Sequence, residues 1–277
     1  MPELPEVETI RRQLDPLVSG AVIIAADSHW SDKFTPALDA VGASILSVGR
    51  RGKYLLFALD DDHELVAHLG MTGAFSVEDA SEVDANIDPS CSDHGAHTRA
   101  VWAFADGRRL VFDDTRRFGR LRVVPTGSYG DIATLHQMGP EPLSDAFTGA
   151  SLHAAIVGRS RAIKTHLLSQ RPVAGVGNIY ADEALFLAGI DPRARRVGRE
   201  RCDRLAETIK HVIAVGIDNG GTTLRDYVNA EGEAGRNQHS LLAYGRGGEP
   251  CTTCAEPLSS VVVDARTTVF CKRCQRR

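Results

Sequence analysis

Near its end the chain carries two Cys-x2-Cys knuckles, CTTC at 251–254 and CKRC at 271–274, sixteen residues apart. No other feature restricts the fold so tightly. Two such knuckles present four thiolates to one tetrahedral ion, and a closed set of four leaves no place for a catalytic water. Between them SSVVVDARTTVF reads as two short strands joined at Asp264-Ala265-Arg266. The spacing predicts a zinc β-hairpin with one structural Zn2+ on Cys251, Cys254, Cys271 and Cys274, the metal replacing a core too small to fold alone. Unligated thiols are the weaker reading. Cys91 and Cys202 stand apart and read as ordinary thiols, because six cysteines in an intracellular chain are more readily thiols or ligands than disulfides. Arg266, on the hairpin tip, sits where a rigid mount can aim a guanidinium at phosphate. An arginine in a turn is more often simply solvated.

At 277 residues the chain has room for two domains and a small appendage. Residues 2–17 read as one helix: Pro5 suits a first turn, Glu6 and Glu8 suit its positive end, and Val7, Ile10 and Leu14 share a face. Short β-rich runs follow, from AVIIAA to RLRVVP, with a two-residue hairpin signal at Asp106-Gly107 and a second turn at DDDHE. This half predicts an antiparallel sandwich or barrel behind an N-terminal helix. The polar stretch 79–98 reads as a long loop. From about 131 the period becomes helical, and a long helix ends at Asn-Gly-Gly, residues 219–221. The fold class is therefore α+β and multidomain, divided as 1–128, 129–240 and 241–277.

A formal charge of -4 argues poorly for a nucleic-acid partner until its distribution is read. Asp60 to Thr98 holds ten acids and no Lys or Arg, whereas Arg99 to Arg122 holds seven arginines against three acids. Residues 236–277 hold seven Lys or Arg against three acids. Local potential governs phosphate attraction, so an acidic chain can still carry basic grips. No apolar run reaches membrane-spanning length and no secretion signal opens the chain, which predicts a cytoplasmic protein.

Taken in order, PELPEVE, RRGKYLL, HLGMTG, DDTRRFG, GPEPL, GVGNIYADEAL, GGTTLRDY, YGRGGEPC and the four-cysteine ribbon resemble the bacterial formamidopyrimidine-DNA glycosylase family nearly end to end. The resemblance implies a helix–two-turns–helix element around GVGNIYADEAL. It also implies a bifunctional glycosylase/AP lyase that excises 8-oxoguanine and formamidopyrimidines from duplex DNA, acting as a monomer at the bacterial nucleoid. Removing Met1 would leave Pro2 with a secondary amine. An α-amino group titrates at about 7.7–8.0, so much of it is uncharged near neutrality, unlike a lysine at about 10.4. Attack on the sugar C1′ gives a Schiff base, which serves as an electron sink for β- and δ-elimination.

By the same resemblance Glu3 is the acid–base residue and Glu6 supports it. Lys53 serves β-elimination, and Arg266 serves δ-elimination by clamping phosphate, since a guanidinium barely deprotonates. Met71, Arg116 and Phe118 match the wedge that fills the hole left by a flipped base; unaided, Met71 and Phe118 would read as strand core. His68, His97, Arg159, Lys164 and Asn178 match phosphate contacts, with the glycines before Asn178 bringing backbone N–H groups to phosphate at a helix start.

The chain departs from the family pattern at Thr115, commonly proline, which predicts a less rigid wedge loop. It departs again just after His97, where a second histidine is usual, and at Arg236-Asn237, where an aromatic pair is common in the loop expected to cap the base. The sister branch, endonuclease VIII, which prefers oxidised pyrimidines, is the nearest alternative, but it typically has glycine where this chain has Leu4. A non-catalytic zinc protein binding damaged DNA is the other; both Pro2 and Glu3 are intact against it.

Overall fold

The N-terminal helix forms as α1 (Leu4–Val18), and Val7, Ile10, Leu14 and Val18 are all buried along one stripe. The computed structural model describes residues 1–29, 31–79, 95–223, 230 and 232–277. Cys91 and most of the loop expected at 79–98 lie outside them, as do residues 224–229 and 231. The described chain divides into two compact units. The first holds Met1–Pro2, Glu6–Ile132 and Thr222–Gly235; the second holds Glu3–Pro5, Ala133–Gly221 and Arg236–Arg277.

In the first unit eight strands build two antiparallel four-stranded sheets, the expected sandwich. They are β1 (Ile23–Ser28), β2 (Ile45–Arg51), β3 (Tyr54–Leu59), β4 (His63–His68), β5 (Gly73–Glu78), β6 (Thr98–Phe104), β7 (Arg109–Asp114) and β8 (Arg120–Pro125). One sheet runs β1-β6-β7-β5, the other β2-β3-β4-β8. Burial alternates over Leu55–Leu59 of β3, whereas Leu65–Ala67 of β4, Arg99–Trp102 of β6 and Leu110–Phe112 of β7 are buried without a break. Phe75 of the first sheet packs on Phe57 of the second at 5.5 Å and on Phe112 at 4.8 Å, so aromatic rings fill the space between layers. The Asp106-Gly107 turn holds three residues rather than two. The Phe104 N–H bonds to the Arg108 carbonyl at 2.9 Å and Gly107 adopts φ 89°, the left-handed site of a three-residue loop.

The second unit is helical: α2 (Ala133–His136), α3 (Gly149–Ile156), α4 (Ile163–Leu168), α5 (Asn178–Leu187) and α6 (Arg199–Asp218). Helix α6 buries Cys202, Leu205, Ala206, Ile209, Ile213 and Ile217, an apolar face at helical spacing. It stops where expected, with Gly220 at φ 69° and Gly221 at φ 84°. Two strands complete this unit, β9 (Ser259–Val263) and β10 (Arg266–Phe270), paired antiparallel with Val263 opposite Arg266. Asp264 and Ala265 both take positive φ, a two-residue turn that places Arg266 as the first residue of β10. No helix among the described residues is long and apolar enough to cross a membrane.

Candidate functional site

Glu3 is 2 % exposed, yet its carboxylate is well satisfied. Oε2 accepts from the Gly177 N–H at 2.7 Å and the Tyr180 N–H at 3.4 Å, and Oε1 from the Ile179 N–H at 2.9 Å. These donors open α5, where free N–H groups and the helix dipole favour an anion. The turn expected to offer its N–H groups to phosphate therefore gives them to Glu3 instead. Glycine is required there, since a Cβ on Gly177 would stand 2.3 Å from the Glu3 Cδ. Gly175, at φ 76°, leaves room for Leu4, whose N–H bonds to the Gly175 carbonyl at 3.1 Å. Pro2 directly precedes this anchor. It is buried, and its nitrogen is acylated by Met1, which is 49 % exposed. Glu6, also buried, accepts from the Thr222 N–H at 2.7 Å.

In the sandwich, Lys53 begins the return from the β2–β3 turn and is 6 % exposed. Tyr54 pairs with His68 across β3 and β4, ring centroids 4.8 Å apart. Burial, then the charges of Lys53 and Arg120, lowers the His68 pKa to about 4. His68 is therefore neutral at physiological pH. Its Nδ1 accepts from the Gly70 N–H at 3.1 Å, which leaves Nε2 as the protonated donor.

Met71, Arg116 and Phe118, the residues expected to form a wedge, are exposed, with Met71 at 37 % and Phe118 at 49 % and the Arg116 guanidinium 5.0 Å from the Phe118 ring centre. Two large apolar side chains left in water on adjoining loops are not strand core. Buried Asp114 ties those loops together. It accepts from the Thr72 hydroxyl at 2.6 Å, the Gly119 N–H at 2.6 Å and the Arg116 N–H at 3.2 Å. The loop expected to be less rigid for want of proline thus has a carboxylate staple, a residue the sequence reading passed over.

Lys164 stands elsewhere than the expected phosphate grip. Its side chain has no exposure, and Nζ lies 2.6 Å from Asp182 Oδ1 and 2.8 Å from the Thr268 hydroxyl. A fully buried ammonium paired with a carboxylate is not available to a phosphate. Asp182 in turn accepts from the Val269 N–H at 2.9 Å, and Asn178 Nδ2 donates to the Thr267 carbonyl at 3.1 Å. Burial pushes the Asp182 carboxyl up to about 6 against the pull of Lys164. Asn178 and Asp182, one turn apart on α5, thus hold β10 directly after Arg266, which is exposed. Asp182 was legible as an i, i+4 partner of Asn178 and went unread.

At the hairpin base the cysteine sulfurs fit a tetrahedral ion. Zn–S bonds of about 2.3 Å set sulfurs about 3.8 Å apart. Here Cys251 and Cys274 are 3.9 Å apart, Cys254 and Cys271 are 3.5 Å apart, and all four lie within 4.8 Å. Cys202 is a buried free thiol, as expected. His97 and Arg159 are exposed. Arg236 is exposed, while Asn237 is buried, with Oδ1 accepting from Asn219 at 3.1 Å.

Comparison with known proteins follows this geometry closely. Residues 1–121 match the formamidopyrimidine-DNA glycosylase N-terminal domain, 138–228 the H2TH domain of the same proteins, and 248–277 a zinc finger found in FPG and IleRS. The formamidopyrimidine-DNA glycosylase of Paracoccus denitrificans is 44% identical, with all of both chains covered. That of Deinococcus radiodurans is 41% identical over 99% of this chain and 97% of its own. The crystal structure of the Fpg protein of Thermus thermophilus superposes with a TM-score of 0.88 at 44% identity, covering 99% and 98% of the two chains. A Lactococcus lactis Fpg variant in complex with Fapy-dG-containing DNA superposes with a TM-score of 0.87 at 31% identity, with both chains fully covered.

Proposed function

The chain belongs to the formamidopyrimidine-DNA glycosylase family, and we propose that it excises oxidised purines from duplex DNA through Pro2 and then cuts the strand. The observation that carries this reading is the Glu3 carboxylate, fixed by three backbone N–H groups one residue from the nucleophile. A buried carboxylate held this firmly is pre-aimed, which is what acid–base catalysis asks of it. With Met1 removed, the Pro2 nitrogen attacks C1′ as the bond from C1′ to the base breaks, the base leaving with the bonding pair and taking a proton from water. The Glu3 carboxylate takes the proton released by the attacking nitrogen and passes it to the ring oxygen as the sugar opens, leaving an iminium between Pro2 and C1′. Loss of the C2′ proton then drives β-elimination of the 3′ phosphate. A second elimination expels the 5′ phosphate.

Neutral His68 donates to a phosphate through Nε2, and Lys53 beside it supplies the charge. Arg159, Asn178, His97 and Arg266 complete the grip. Lys164 acts at one remove as a positioning residue, holding Asp182 and β10 so that Arg266 keeps its aim. Met71, Arg116 and Phe118 fill the vacated stack, the apolar pair as plugs and Arg116 toward the orphaned base. Glu6 secures the first turn of α1. The zinc contributes folding energy and a rigid hairpin, not chemistry. The three parts 1–128, 129–240 and 241–277 then carry the nucleophile, the wedge and the His68, Lys53 and His97 contacts; the Arg159 and Asn178 contacts; and Arg266, respectively. The same reading has the enzyme working in the bacterial cytoplasm, at the nucleoid, where duplex DNA is its substrate.

Cleavage of one duplex with 8-oxoguanine opposite cytosine and another with thymine glycol opposite adenine tests the substrate class. The purine lesion strand is expected to be cut, ending in phosphate on both sides of the gap. Cutting of the thymine glycol strand alone would refute it.

A further inference from the structure

The second unit carries a basic trough of which the mechanism uses only Arg159. Its walls are two loops, 158–161 before α4 and 194–198 before α6, enclosing about 620 Å³. Arg159 and Arg161 stand on one wall, Arg195 and Arg196 on the other, all four exposed. No carboxylate side chain lines this cavity. None of the four guanidiniums has an ion pair or hydrogen bond among the described residues, whereas their neighbours Arg193 and Arg277 both turn to Asp191, at 2.7 and 3.6 Å. Converging cations without counter-ions repel one another, and a polyanion relieves that repulsion. In the wall His166 is 7 % exposed, and its Nε2 is buried without a partner. An unsatisfied buried ring nitrogen is uncommon and asks for a ligand or solvent bridge.

The trough continues past Arg161, Arg195 and Arg196 into a second cavity of about 1200 Å³ that reaches Asp264 on the zinc hairpin, whose carboxylate is taken by the Thr165 hydroxyl. The run of arginines on facing walls fits a succession of phosphates, which recur about every 3.4 Å of helix axis along one strand. Arg159, already assigned to the phosphate grip, stands at its edge.

We propose that this trough binds the sugar-phosphate backbone of the duplex beyond the lesion, with Arg195 and Arg196 adding two phosphate contacts. The proposal rests on the glycosylase reading, which brings duplex DNA to Arg159. The test compares the zinc-loaded full chain with its Arg195→Ala/Arg196→Ala variant. Both bind duplexes of about 12 and about 30 base pairs, roughly one and three turns, carrying a tetrahydrofuran abasic analogue. On the long duplex the slope of log affinity against log salt is expected to fall by about 2 in the variant, near 0.9 per lost contact. On the short duplex the slopes should match, and single-turnover cleavage at saturating lesion DNA should be unchanged. Equal slopes on the long duplex overturn the proposal. So does an equal loss on both, which would put the contacts inside the lesion's own footprint. Failure of the glycosylase reading shows separately, as absence of cleavage by the unaltered chain, while the salt comparison still reports on the trough.

Discussion

Stripping the zinc is expected to weaken lesion binding by orders of magnitude and to slow cleavage at sub-saturating DNA with it. Among the described residues the hairpin's own apolar cluster is small: Phe186, Ala243, Leu258, Val269, Cys251 and Cys271 are buried, with Leu242, Cys254 and Cys274 partly buried against them. A structural zinc of this kind contributes about 10–16 kcal/mol of apparent binding energy, far more than such a cluster supplies. Without it β10 loses its register, and with it the Asp182 and Asn178 bonds that set Arg266. Losing the phosphate contacts proposed for Arg266 and Asn178, at about 1.5–3 kcal/mol each, puts the fall in affinity at roughly 10²- to 10⁴-fold. Metal release followed beside abasic-duplex binding measures it. Full affinity after stoichiometric zinc removal would contradict the bracing role.

Gly177→Ala is the second large effect. The new methyl would meet the Glu3 Cδ at 2.3 Å and its oxygens at 2.5 and 2.7 Å, so the carboxylate must leave its cradle. Excision is expected to slow by roughly 10²- to 10⁴-fold, the usual worth of a positioned acid–base group. Overpacking of this kind costs about 1–3 kcal/mol. At about 2–4 °C per kcal/mol, melting should fall by several degrees with the protein still folded at assay temperature. Gly130→Ala, where a Cβ meets nothing within 4 Å, is the control expected to change neither. Unchanged excision by the Gly177 variant would remove Glu3 from the mechanism.

Local features were legible in the sequence. The β-rich runs around Phe57 and Phe112, the helical period of α6 and the four-cysteine spacing are local patterns, and local patterns survive folding when the tertiary structure agrees with them. What escaped was long-range. Nothing near Glu3 announces that Gly177 and Ile179 will receive its carboxylate, and those N–H groups were assigned to phosphate instead. Lys164 reads as a surface cation because lysines mostly are. Its burial depends on Asp182, eighteen residues on, and Thr268, over a hundred further along. Asp114 likewise looked like one more acid in a charged loop, and only the approach of Thr72 makes it a staple. Of the trough's arginines only Arg159 stood out in sequence; the meaning of Arg161, Arg195 and Arg196 lies in two loops facing one another.

The central claim is that the Pro2 nitrogen, once freed, bonds to deoxyribose. Reducing the reaction with borohydride and mapping the adduct by peptide mass spectrometry tests it most directly. The sugar remnant is expected on the N-terminal peptide beginning at Pro2, and a chain engineered to keep Met1 should trap none. An adduct on Lys53 or any other lysine, or equal trapping by the chain that retains Met1, would contradict it.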